Sequence, residues 1–410
     1  AAATFIRVLD EFLPSAQSLG SVSDSSVDTI DDTFRVLALM AARNSGTDTL
    51  IAWLDGSRPH HWEHLLFDRL ADYYAVKGET IASVAANQAF IDYSPSHRAV
   101  PAFRLQIVDV WQAAGDPEQV RNARAEFVAS YSQDSAYATL TGEQKNKWLS
   151  YSKRLADYHY DLATRLVEQG RVAKAESTFA EAAVYYAHLA PRIDQSGEML
   201  RLAGDAWLQA RDFPKALTNF RRAAYESPGY SEAADAAWAA VALLRNSLDR
   251  PTTVSAFQPE LKDVSNEANR FSGSFEGDSR IPGLMADLAA QWLAAGDHQL
   301  ALDYGSRVLT APTASPAERY AAWQVMARIR QEEGDYGLAE RAWGQALNLA
   351  ESERLANVTE EQVSAIRKQL ATSVYRQAEL AVSSGRLGEA VGHFRRVDSV
   401  LPGSDVAIRA

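Results

Sequence analysis

The chain has 410 residues, 47% apolar and 23% charged, which excludes disorder and collagen and suits two or three domains or one elongated repeat array. Its 41 Lys and Arg are outnumbered by 53 Asp and Glu, and the net charge of −12 opposes non-specific attraction to nucleic acid or anionic lipid. No cysteine is present, so disulfides, thiolate metal sites, Cys nucleophiles and Cys-attached haem are excluded together.

Apolar residues recur at three- and four-residue spacing almost throughout, and the alternating Val, Ile and Thr runs of strands are missing, so the chain reads as all-α. No stretch approaches the ~18 consecutive apolar residues that a membrane span needs. The opening Ala1-Ala2-Ala3-Thr4, without Met, reads as a processed or truncated start, as when a signal peptide has preceded it. Segment 1–66 is expected to be an N-terminal helical segment. Within it Asp24 to Asp32 lacks the central Gly and final Glu of a calcium loop, and reads as a loop in which Asp31 or Asp32 caps a helix starting near Thr33. In Pro59-His60-His61-Trp62-Glu63-His64, the imidazoles of His60 and His64 are one helical turn apart, the spacing at which two can share a metal, with Glu63 to assist. The order of a zinc protease motif and a third ligand are both missing, so no metal or cofactor is expected. Capping or surface roles account for these histidines.

Helical hairpins follow in sequence. Turns are expected at Gly78, with Tyr74 before and Pro95 after, at Gly115, with Trp111 before, and at Gly170, with Ala175, Phe179 and Ala182 after. From Met199, Gly204 and Trp207 lie on a first helix, Arg211-Asp212-Phe213 at a turn, and Ala216, Phe220, Ala223 and Pro228 along and after a second. Small residues let two backbones approach, and the aromatics fill the volume left between helices. A further hairpin is expected from helices at about 231–248 and 254–271. Later copies turn at Gly296, with Trp292 before and Ala301 after, at Gly334, with Trp323 before and Ala339, Trp343 and Ala346 after, and at Gly385, with Ala390, Phe394 and Pro402 after. The spacing of these turns is unequal, which implies long helices or inserted turns around Leu140-Thr141-Gly142 and between Glu351 and Glu361. The expected organisation is a helical segment over 1–66, an array over 67–272, a loop over 273–283 and a second array over 284–410.

This pattern resembles the tetratricopeptide repeat, a 34-residue helix-turn-helix unit. The resemblance implies a superhelical α-solenoid of antiparallel hairpins whose concave side is lined by the first helix of each pair. Ala89-Phe90-Ile91-Asp92-Tyr93-Ser94-Pro95-Ser96-His97, with Glu126 to Tyr131 one unit later, is similar to repeat endings of bacterial cell-envelope tetratricopeptide proteins of the outer-membrane assembly lipoprotein (BamD) type. The lipid-bearing Cys of that family is absent, so anchoring through it is not implied.

By register, the inward positions of the first helices include Asp72, Asp109, Tyr160, Arg201, Asp205, Gln324, Arg328, Tyr375 and Glu379, acidic at the N-terminal end and mixed later. Such a groove suits a basic or neutral protein segment. The Lys and Asn clamp by which some repeats grip the C-terminal carboxylate of chaperones is not matched by Arg201 and Asp205 or by Gln324 and Arg328. No phosphate cradle, nucleophile elbow or kinase set occurs, so no catalytic residue is expected. The leading expectation is a non-enzymatic scaffold or adaptor in a bacterial cell-envelope assembly, periplasmic or envelope-associated, with the cytoplasm as the alternative, and part of a larger complex. A second reading, a polysaccharide-export type of polymer-binding module, needs exposed aromatics along the groove. Tyr158, His159 and Tyr160 are its surface candidates, whereas Trp207, Trp292, Trp323 and Trp343 fall on packing positions. A metal protein or enzyme would need a polar pocket around His60 and His64.

Overall fold

The computed structural model describes residues 2–13, 24–55, 60–249, 257–352, 355, 358–403 and 407–408, leaving aside the side chains of 24 and 25. Among the described residues there are twenty α-helices and no strand. The chain divides into two compact units, residues 1–219 and 220–410.

The first unit opens with α1 (Ala2–Phe12), α2 (Asp24–Ala42) and α3 (Thr47–Leu54). Hairpins follow from α4 (Glu63–Val76) and α5 (Thr80–Tyr93), α6 (Val100–Ala113) and α7 (Pro117–Ser130), and, after the short α8 (Asp134–Ala138), from α9 (Gly142–Glu168) and α10 (Val172–Leu189). It continues into α11 (Ser196–Gln209) and the start of α12 (Phe213–Tyr225). The second unit takes up the end of α12 and adds α13 (Ala233–Asp249) and α14 (Leu261–Ser274). Three hairpins complete it: α15 (Ile281–Ala294) with α16 (His298–Thr310), α17 (Pro316–Glu332) with α18 (Tyr336–Ser352), and α19 (Glu360–Ser383) with α20 (Leu387–Val400).

The seven turn positions read from the sequence share one backbone conformation. Gly78, Gly115, Gly170, Gly296, Gly334 and Gly385 have φ between 72° and 82°, and Arg211 has φ 61°. A left-handed residue there ends the first helix and turns the chain back, which glycine does without a Cβ clash. At Arg211 the same conformation costs on the order of 1 kcal/mol. On the far side of several turns a side chain restarts the helix: Asp116 accepts from the Glu118 and Gln119 amides at 3.1 Å each, and Asp297 from the Leu300 amide at 3.0 Å. The long helices that break the regular spacing begin at reciprocal caps, Thr141 with Gln144 for α9 and Thr359 with Gln362 for α19. These caps stand in the two regions where the sequence implied extra length.

Successive elements pack into continuous apolar seams. In the first unit Phe67 of α4 meets Phe90 of α5 at 5.6 Å between ring centres, and Phe90 meets Phe103 of α6 at 4.2 Å. In the second, Ala327, Ala339, Trp343, Ile366 and Leu370 tie α17, α18 and α19 together. Each seam is completed only by the next hairpin, so stability is shared between neighbours, as in repeat arrays. Glu267 of α14 is buried, 2% exposed, and is compensated by the Arg221 guanidinium at 2.7 Å and the Tyr225 hydroxyl at 3.1 Å.

Three local readings change. Helix α2 already begins at Asp24, so Asp31 and Asp32 are not caps: they lie inside it and pair with Arg69 of α4 and with Arg35. The helix read as 254–271 starts at Leu261, where Glu260 and Asp263 form a reciprocal cap, while 254–256 lie outside the described residues. The stretch 273–283 holds the end of α14, a connection over 275–280 and the start of α15.

Candidate binding site

The histidine pair does not converge. His60 places Nδ1 2.6 Å from the Asp10 carboxylate of α1 and stacks on Trp62, whose indole N–H donates to the same carboxylate at 3.2 Å. His64 instead lies beside His97, with ring centres 4.9 Å apart, and burial together with the neighbouring His97 and Arg98 lowers its pKa to about 4. Both residues serve the joints between neighbouring helices. Among the described residues no three His, Cys, Asp or Glu side chains gather as a metal site, and Pro59 lies outside them.

The first-helix candidates of the first unit fall into two groups. Asp72 is exposed on α4, 3.8 Å from Arg69, and partial burial with the nearby Asp68 raises its carboxyl above the usual range. Asp109 is exposed on α6. Tyr160, Arg201 and Asp205 come together from α9 and α11. Arg201 holds Asp205 at 3.0 Å, one turn along α11, and Tyr160 feels both charges. Burial raises the Asp205 carboxyl, and burial followed by the Asp205 charge raises the Tyr160 phenol. Arg201 and Asp205 thus compensate each other's charge beside Tyr160, which packs edge-on against Phe179 at 5.1 Å.

In the second unit Gln324 and Arg328 line a cleft of about 660 Å³. Its walls are α17 and α19, which barely touch each other although both pack on α18. Trp343 of α18 and Ile366 of α19 form the floor, 3% and 4% exposed. Four glutamines, Gln324, Gln331, Gln362 and Gln369, project into it. The Trp343 indole N–H donates to Gln331 Oε1 at 3.0 Å, and Gln331 Nε2 donates to Gln369 Oε1 at 3.0 Å, so one amide both anchors the floor and spans the cleft. Burial raises the Tyr320 phenol, opposed by its hydrogen bond with Gln324 and by the charge of Arg328.

The charges at this cleft are unevenly balanced. Glu332 pairs with His298 at 3.0 Å and Arg376 with Glu379 at 2.7 Å. Arg328 has no ion pair or hydrogen bond among the described residues, and its charge acts on the Tyr320 phenol. The cleft therefore presents amides, the Arg328 guanidinium and an apolar floor, the mixture that pairs with a polypeptide backbone and orients one side chain. Glu379 stands at its edge through Arg376, whereas Tyr375 faces α20 and packs edge-on against Phe394 at 5.5 Å.

The glutamines of α19 were not among the residues expected at the site. Their signal was present: Gln362, Ile366, Gln369 and Arg376 recur at four, three and seven residues and share one helix face.

No protein-family profile matches the chain, and no curated protein matches it. Among solved structures it is similar to a tetratricopeptide repeat protein from Parabacteroides merdae ATCC 43184, at 12% identity and a TM-score of 0.23, over 74% of this chain and 97% of that one. It is also similar to the P58(IPK) TPR domain, at 10% identity and a TM-score of 0.23, over 91% and 94%. A third is the APC/C hetero-tetramer Cut9-Hcn1, at 11% identity and a TM-score of 0.25, over 99% and 86%. The left-handed turns, the small residues behind them and the seams shared between neighbours, all read on this chain itself, make each unit an assembly of tetratricopeptide-like helical hairpins.

Proposed function

We propose that this chain is a non-enzymatic scaffold that holds a segment of a partner protein, with the cleft between α17 and α19 as the principal contact. The observation that carries the reading is the open space between two first helices, lined by glutamine amides with Arg328 left without an ion pair among the described residues. Side-chain amides offer both donors and acceptors to an extended backbone, which suits a neutral segment, while exposed Asp72 and Asp109 of the first unit suit a basic one. The similarity of segment 89–97 to envelope proteins, together with the absence of cysteine, supports a bacterial cell-envelope assembly as the setting. The polymer-binding reading has less support: all nine Trp and sixteen Tyr are buried or half-buried, and Tyr158 and His159 are engaged by Arg121, Tyr185 and Glu181.

The test is affinity capture from the native source with the full chain, compared by mass spectrometry with Arg328→Glu and with Asp72→Lys plus Asp109→Lys. A partner retained by the parent and lost from Arg328→Glu supports the cleft. Equal capture by all three proteins would sink it.

A further inference from the structure

The amides of the α17/α19 cleft point in fixed directions. An indole N–H can only donate, so the 3.0 Å bond from Trp343 makes the Gln331 oxygen an acceptor and leaves the Gln331 nitrogen to donate to Gln369 Oε1, also at 3.0 Å. At the start of α19 the Thr359 backbone amide, another obligate donor, takes Gln362 Oε1 at 2.9 Å. Three amide oxygens are thereby engaged, whereas Nε2 of Gln362 and of Gln369 has no hydrogen-bond partner among the described residues. The amide groups left over for a ligand are N–H donors.

Charge points the same way. The lining holds two arginines, Arg328 and Arg376, against one carboxylate, Glu332. Glu332 is held by His298 and Arg376 by Glu379, so the exposed Arg328 is the lining charge without an ion pair among the described residues. A peptide backbone must place its own N–H groups as well as its carbonyls, but a carboxylate brings acceptors alone and forms the stronger, charge-assisted bonds. Gln362, Gln369 and Arg376 follow one another at seven-residue steps along α19. At 1.5 Å per helical residue that row is about 20 Å long, the span of about six residues of extended chain. An internal stretch covers such a row, and a chain terminus meets only part of it.

We infer that the α17/α19 cleft takes an extended acidic stretch of a partner protein, with a side-chain carboxylate on Arg328 and further oxygen acceptors on the Gln362 and Gln369 amides. This inference rests on that cleft being the binding site and narrows its occupant, from the neutral segment that amides alone would suit to an acidic one.

A phage-displayed library of random twelve-residue peptides tests it, selected on the full chain at physiological ionic strength, where the chain's overall negative charge is screened. The library is selected in parallel on Ala365→Trp, which fills the cleft from its exposed wall. Peptides retained by the parent and not by Ala365→Trp are expected to be rich in Asp and Glu. Replacing those residues by Asn and Gln in a synthetic consensus peptide should weaken binding at least about tenfold, the scale of one charge-assisted contact. Arg328→Gln should do the same, as should Gln369→Glu, which can keep the bond from Gln331 but turns a donor into a carboxylate. Amidating the peptide's C-terminus should change nothing; a loss on amidation would move the contact to a chain terminus and overturn the inference. A neutral or basic consensus that still needs the open cleft would overturn the acidic occupant alone and leave the scaffold reading standing. Peptides indifferent to Ala365→Trp, or no enrichment, would remove both. Oligogalacturonate that displaces the consensus peptide and binds more tightly would give the cleft to an acidic polysaccharide instead.

Discussion

Within the second unit, two pairs of neighbouring first helices obey the same hairpin grammar and end differently. Helices α15 and α17 pack directly on each other, whereas α17 and α19 stand apart over the cleft. The closed pair is rich in small residues. A Cβ added at Gly283 of α15 would sit 3.0 Å from Glu318 of α17, and Ala289 and Ala322 are wholly buried. The open pair faces long side chains, Gln324, Arg328 and Gln331 against Gln362, Gln369 and Arg376, and an amide-to-amide hydrogen bond spans it. Side-chain length at these positions decides whether a joint between hairpins becomes core or site, since small residues permit close helix approach and long polar ones hold water and ligands between the backbones.

The largest effect should come from the floor that the open pair depends on. Trp343→Ala removes a 3%-exposed indole from the seam of α17, α18 and α19 and is expected to cost about 3–5 kcal/mol in urea unfolding; a cost under 1 kcal/mol would mean that the floor is not packed. A matched pair of substitutions then separates closed joint from open one. Ala322→Leu, beside Gly305 of α16, should destabilise by about 1–3 kcal/mol through overpacking, while Ala365→Leu on the exposed cleft wall stays within about 0.5 kcal/mol. Equal penalties would erase the distinction.

The smallest effect is a pH dependence at the entry to the closed pair. Asp278 accepts from the Arg280 backbone amide and guanidinium at 2.6 to 2.9 Å, and those hydrogen bonds lower its carboxyl below the usual range. A depressed folded-state pKa means stability that is present above the ordinary Asp value of about 3.9 and is lost as pH falls through the lower folded value. Asp278→Asn should therefore be slightly less stable than the parent at neutral pH and converge with it in acid. A gap that widens on acidification would contradict the assignment.

Much of the local architecture was legible because it is written in short windows. The turns at Gly78, Gly296 and Gly334 announce themselves by residue type, and so does Arg211, through the Asp212-Phe213 that follows it, although glycine is missing there. The start of α2 was misread because Asp31 and Asp32 look like caps, and only α4, arriving with Arg69, gives Asp31 a partner inside a longer helix. Of the expected first-helix residues, Gln324 and Arg328 reach the cleft, Arg201 and Asp205 neutralise each other, Tyr160 packs on Phe179, and Tyr375 is taken up by Phe394.

Helix content, the hairpin register and the residues that end and restart each helix follow from the sequence alone, since each depends on side chains within a few positions of the backbone they act on. The gap between α17 and α19 and the company kept by His60 and His64 were settled only in three dimensions. They depend on how far apart a third element holds two others, and no short window of sequence encodes that distance.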